Sequence, residues 1–107
     1  MGLIQRKTDV NLFYVVGYQK VLTSKLDGER VSKRISLKKR IKRGEIITLK
    51  FPDTVWAVNP SFFEGLLKDA ITKYGVEKVK KQVMIYSRVG FNTNFNEAFA
   101  RLRMIKK

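Results

Sequence analysis

The chain has 107 residues, the length of one ordinary domain, and 44% of them are hydrophobic, enough for one modest core. It has no cysteine and no histidine, which excludes disulfides, thiolate metal sites and thiol nucleophiles and removes the commonest general base. Against 9 Asp plus Glu stand 23 Lys plus Arg, and the net charge of +14 creates a field that attracts polyanions such as nucleic acid or an acidic protein face.

Residues 1–11 are polar and without periodicity, and they predict a frayed start. Gly2 does not open a myristoylation signal, because Arg6 stands where that pattern needs Ser or Thr. No apolar run suits a signal peptide or a membrane span, so the expectation is a cytoplasmic protein that makes no membrane contact. Leu12 to Leu22, LFYVVGYQKVL, is rich in β-branched and aromatic residues and predicts a strand with a bulge at Gly17. Asp27-Gly28 reads as a tight turn.

The segment from Arg30 to Arg43 admits two readings. Its alternation suits a second hairpin strand, whereas Val31, Ile35, Leu37 and Ile41 share one arc of a helix; of the two we take the helix, ended by Gly44. Glu45 to Phe51 predicts a strand with Ile47, Leu49 and Phe51 on one face, broken by Pro52-Asp53. Val55 to Val58 is short and apolar. After it, Asn59 can cap a helix with Pro60 in its first turn, and Ser61 with Glu64 equally has capping-box spacing.

The apolar stripe of that helix runs through Phe62, Phe63, Leu66, Leu67, Ala70, Ile71 and Tyr74 to a stop at Gly75. Gln82 to Val89 predicts another strand, and Asn94 with Glu97 starts a last helix striped by Phe95, Ala98, Phe99 and Leu102. This alternation predicts a single α/β (or α+β) domain. It would have a small mixed or partly parallel sheet and about three helices.

From about residue 28 to 103 the chain resembles the STAS-like family, small relatives of the sulphate-transporter and anti-sigma-factor-antagonist domain. The likeness rests on Gly44 to Phe51, GEIITLKF, followed by Asn59 to Leu67, NPSFFEGLL: a hydrophobic strand, a short loop, then Ser-Phe and Glu before a Leu-rich helix. The resemblance implies a protein-binding regulator. In the antagonists a serine at the start of the equivalent helix is phosphorylated to release the partner, and the matching position is Ser61. Asn59 and Pro60 stand in place of those proteins' acidic-serine-serine-glycine signature. For Ser61 itself, helix capping and phosphorylation both remain open.

Two addresses for binding follow. Arg30, Lys33, Arg34, Lys38, Lys39, Arg40, Lys42 and Arg43 crowd one segment with no acid between them, and such repulsion is relieved by an anionic partner, nucleic acid or acidic protein. Lys78, Lys80 and Lys81, and the tail Arg101, Arg103, Lys106 and Lys107, join that patch only if the fold brings them there. The second address is Trp56, Asn59, Pro60, Ser61 and Phe62, a candidate protein interface in which Trp56 either anchors a partner or seals the core. Tyr14, Tyr18 and Tyr86 would form a base-stacking platform only on one open sheet face.

No phosphate loop, paired carboxylates or metal-ligand spacing is visible. The expectation is therefore a non-catalytic binder without cofactor or small-molecule substrate. The leading reading is a regulator or inhibitor of a larger machine, host or nucleic-acid-processing, and small size and charge also fit a phage or viral effector. The alternatives are a nucleic-acid-binding protein using 30–43 and a structural subunit of a ribonucleoprotein.

Overall fold

The segment Ile46-Ile47-Thr48-Leu49-Lys50 turns alternate side chains to opposite sides, and the domain is organised around that alternation. In the computed structural model, which describes residues 6–104, it forms the central strand β3 (Ile46–Lys50). Strands β1 (Lys7–Asn11) and β5 (Val83–Tyr86) flank it, and both pairings are parallel. Thr8 and Val83 stand beside Ile47, and Val10 and Ile85 beside Leu49, so one face carries the apolar rows. The other face exposes Lys7, Asp9, Asn11, Lys50, Met84 and Tyr86. Parallel sheets are usually covered on both faces; here the helices cover one. A second parallel pair joins β2 (Val21–Leu22) to β4 (Ala57–Val58).

Parallel strands need crossovers, and helices supply them. Helices α1 (Phe13–Val16), α2 (Lys25–Arg34) and α3 (Leu37–Lys42) lie between β1 and β3 in the chain. Helices α4 (Pro60–Tyr74) and α5 (Val76–Gln82) precede β5, and α6 (Asn92–Arg103) follows it. The α/β class expected from the alternation is thus found, with more and shorter helices than expected and every strand pair parallel.

Several local readings are corrected. Lys7–Asn11 is an edge strand and not a frayed start, because its polar side chains belong to the open face and its backbone pairs with β3. Residues 1–5 lie outside the described residues, as do Lys106 and Lys107. Leu12 to Leu22 is not one strand. Phe13 N–H donates to Asn11 Oδ1 and opens a single helical turn that buries Leu12 and Val16 four residues apart. Gly17, at φ 61°, then reverses the chain in the left-handed region.

Asp27-Gly28 is likewise no turn but part of α2. Ser24 Oγ accepts from the Asp27 N–H as the N-cap, and Gly28 is required by packing. A Cβ on Gly28 would strike the Phe62 carbonyl of α4, and one on Gly65 would strike the Lys25 carbonyl of α2. The two helices therefore cross backbone against backbone, each glycine admitting the other chain.

The apolar faces meet in one core. Phe63 stands at its aromatic centre, with ring centroids 5.9 Å from Phe51, 5.8 Å from Phe62 and 5.2 Å from Phe95, all edge to face. Strands, crossovers and core together give the domain two distinct ends. At the carboxyl end of the sheet the strands run out into 12–20, 51–56 and 87–91. At the amino end lie α3, α5 and the entries to β3 and β5.

Candidate functional site

The basic segment is two helices rather than one. Ser36 adopts φ 57°, ψ 48°, the left-handed conformation, and breaks the segment between α2 and α3. Leu37 and Ile41 are buried, so α3 turns Lys38, Lys39 and Lys42 outward. Three of the eight basic residues are engaged by protein groups. Arg30 Nη1 lies 2.9 Å from Asp27 Oδ1 on the surface. Arg40 Nε donates to the Ile35 carbonyl at 2.8 Å and Nη1 to Glu45 at 3.2 Å, which makes it a structural residue closing the α2–α3 turn. Arg43 reaches Glu45 at 3.5 Å. Lys33, Arg34, Lys38, Lys39 and Lys42 are exposed and pair with no carboxylate among the described residues.

Glu45 is the acid on which this end turns, and only 4% of it is exposed. Burial pushes its carboxyl up, but hydrogen bonds from Thr8 and Arg40, the Arg40 charge and the Arg43 bond outweigh burial and hold it below its usual 4.5. A depressed carboxyl stabilises the fold fully above its unfolded value, and that contribution is lost as pH falls through the folded one. Glu45→Gln should therefore cost roughly 1–3 kcal/mol at neutral pH. The difference from wild type should shrink as pH falls below about 4. Urea denaturation at the two pH values reads it directly, and an undiminished difference in acid would show that the carboxylate charge is not what Glu45 contributes.

Beside Glu45, the buried Gln82 side chain donates to the carbonyls of Ile41, at 3.2 Å, and Glu45, at 2.8 Å. Those two bonds fix the end of α5 against the turn from α3 into β3. Lys78 and Lys81 then line a shallow groove of about 390 Å³ with Ile46 and Gln82. Lys80 does not join them; its Nζ lies 5.9 Å from the centroid of the Phe99 ring. Nor do the α6 arginines. Arg101 bridges Glu64 at 2.8 Å and Glu97 at 2.7 Å, and Arg103 pairs with Glu77 at 3.0 Å. Cations in the last turns of α3 and α5 complement the helix dipoles, a modest effect of about 0.3–1 kcal/mol each.

The second address lies at the opposite end. Trp56 is 60% exposed and does not seal the core; its backbone N–H donates to the Lys20 carbonyl at 2.9 Å, so the chain at Trp56 runs beside the segment that follows α1. Tyr14 and Tyr18, 79% and 77% exposed, both stack edge to face on Phe13 there. Val21 pairs with Ala57, next to Trp56. Tyr86 ends the row Asn11, Lys50, Tyr86 across the open face, and exposed Val89 follows it beyond Arg88, which reaches Asp53 at 3.4 Å. Tyr14 and Tyr18 are not sheet residues, so the three tyrosines do not share a sheet face.

Of the residues expected around Trp56, Asn59 is exposed and Pro60 and Ser61 half-buried, all at the start of α4. Phe62 is corrected: it is fully buried against Phe63 and cannot touch a partner. Asn59 holds the N-cap position without a side-chain cap bond, and Ser61 stands inside the helix rather than at its cap. Its expected capping-box partner Glu64 is taken by Lys25, at 3.9 Å, and Arg101. Asn94 does not cap α6 but donates its side-chain amide to the Val58 carbonyl, tying α6 to the approach of α4.

The two addresses are thus at opposite ends of one sheet. Sequence reasoning did not place Tyr14 and Tyr18 at the same end as Trp56, and it left open whether Lys78 and Lys81 join α3. The first had a local signal in Asn11, an acceptor two residues before Phe13. The second had none, since it depends on the long-range Gln82 bonds.

Among the described residues no helix is long and apolar enough to cross a membrane, and no three acidic side chains gather to hold a metal ion. The fold and its two ends define a small α/β domain with a parallel sheet covered on one side. No family model matches the chain, and neither a curated protein nor a solved structure matches it.

Proposed function

We propose that this chain is a non-catalytic, STAS-like binding module that regulates or inhibits a larger machine by protein contact at the carboxyl end of its sheet. The observation that carries the reading is that Tyr14, Tyr18 and Trp56 are all mostly exposed, the two tyrosines packed on Phe13 and Trp56 tied through its backbone to Lys20, two residues beyond Tyr18. Isolated exposed apolar residues are ordinary, whereas contiguous aromatic ones mark interfaces. Tyrosine and tryptophan bring a large area with few rotatable bonds, and they dominate binding hot spots. Lys20, whose carbonyl takes the Trp56 backbone N–H, adds an exposed cation at this end, which suits a partner whose apolar patch has an acidic margin.

The resemblance to STAS-like proteins supports the same end of the molecule. Ser61 stands in the first turn of α4, three residues beyond Val58 and close in sequence to Trp56. A phosphate there would meet the helix N-terminus and place two negative charges beside the aromatic cluster.

The test is affinity capture of the tagged chain's partner with and without nuclease, followed by titration of the purified partner. Capture should survive nuclease, and the emission of Trp56, the single tryptophan, should shift to the blue on binding. Trp56→Ala should weaken binding about 30-fold or more while leaving stability nearly unchanged, because the ring is mostly exposed. A partner lost on nuclease treatment, or one bound equally well by Trp56→Ala, would overturn the reading.

A further inference from the structure

The amino end of the sheet offers a surface of a different kind. It draws cations from elements far apart in the chain: Lys38, Lys39 and Lys42 from α3, Lys78 and Lys81 from α5, and Lys7 from the start of β1, which pairs with Ile46. All six are exposed, and none pairs with a carboxylate among the described residues. Of the acids near them, Glu45 is buried and neutralised by Arg40 and Arg43, while the exposed Glu77 on α5 is held by Arg103 and Asp9 on β1 by Lys50. The bonds from Gln82 to the Ile41 and Glu45 carbonyls hold α3 and α5 together, so the cations project from a fixed base.

What this end lacks decides the class of partner. Among the described residues, the large apolar side chains that are exposed lie elsewhere, and none falls between Lys33 and Lys50 or between Gly75 and Val83. A protein interface takes its affinity from buried aromatic or aliphatic anchors, with charges at the rim. A surface of lysine ammonium groups without such anchors suits a row of phosphates, whose counterions are released on binding. Lysines act as point charges with no fixed fork geometry, so the contact reads the backbone and not the bases.

We infer that the α3–α5 end of the sheet binds the phosphate backbone of nucleic acid, independently of the aromatic end and without sequence preference. Neutralising about five phosphates gives a log–log salt slope of about −4.5 on duplex DNA, an affinity loss of about 500-fold between roughly 50 and 200 mM salt.

Fluorescence anisotropy on the whole chain tests this, with labelled mixed-sequence duplex DNA, single-stranded RNA and poly-glutamate of similar length as probes. The nucleic acids should bind more tightly than poly-glutamate, with that salt slope. Lys42→Glu combined with Lys81→Glu should weaken nucleic-acid binding at least 10-fold and flatten the slope by about two. Lys68→Glu midway along α4 with Arg88→Glu in the 87–91 segment makes the same change in net charge at exposed positions away from the α3–α5 end, and should change affinity less than 3-fold. Trp56→Ala should have no effect. Equal losses from the two double variants would show that net charge alone is responsible, and equally tight poly-glutamate would assign the surface to acidic protein. Either result overturns the inference, as does the absence of nucleic-acid binding at low salt. None of them bears on nuclease-resistant capture through Trp56.

Discussion

Gly65→Ala should unfold the domain or leave it barely folded. The added methyl group would meet the carbonyl oxygen, the carbonyl carbon and the Cα of Lys25, all backbone atoms of α2. On the facing helix, Gly28→Ala would press its methyl group on the Phe62 carbonyl and lie 2.7 Å from the Leu66 nitrogen. A flexible side chain could swing away, but a helix backbone moves only as a unit. The two helices would have to separate along the whole crossing, opening space beneath Val31, Phe62 and Leu66, which are all buried. Overpacking a core with one methyl group usually costs about 1–3 kcal/mol, and this crossing should exceed that range. Small domains hold only about 5–15 kcal/mol in total. Gly44→Ala supplies the comparison, because its Cβ would meet nothing and only the strain of φ 81° remains, about 1 kcal/mol. Urea denaturation of the two variants should separate them widely. Comparable midpoints would show that α2 and α4 do not cross on their glycines.

Phe63→Ala should be nearly as damaging, by about 3–5 kcal/mol. Its ring is fully buried and touches those of Phe51, Phe62 and Phe95, and so joins the residue that follows β3 to α4 and α6. Truncation removes the transfer energy and leaves a cavity bounded by other rings, which are too rigid to collapse into it. Phe63→Leu should cost about half as much, since it restores most of the volume but none of the edge-to-face contacts. A loss below about 1 kcal/mol for the alanine variant would mean that the core closes around the gap.

Where the chain's own pattern is long and regular, it was sufficient. Pro60–Tyr74 and Ile46–Lys50 were legible because apolar residues recur at one unmistakable period over the whole element. The remainder was decided by contacts distant in sequence. LFYVVGYQKVL has strand composition, yet the burial of Leu12 and Val16 and the reversal at Gly17 make it a helical turn and a two-residue strand. Asp-Gly is a strong hairpin signal, and here it lost to Ser24-Lys25-Leu26-Asp27, a capping pattern visible in the sequence, and to a helix that needs Gly28. The short α5 has only Val76 and Val79 as a stripe, too little to register against its charges. Of the candidate sites, the cationic residues and Trp56 could be named from composition. Their distribution between opposite ends could not, because it follows from strand register and the Gln82 bonds.

The separation of those ends has a consequence for occupancy. A five-residue central strand spans about 17 Å, so a ligand at one end does not sterically exclude a ligand at the other. A chain holding a protein at Tyr14, Tyr18 and Trp56 while Lys42 and Lys81 rest on a nucleic acid would tether the two. Each later encounter between the two partners would then be intramolecular, at an effective concentration that short tethers raise to the order of millimolar. Because the cationic end holds its partner through exposed lysines, ionic strength would set how long that tether lasts.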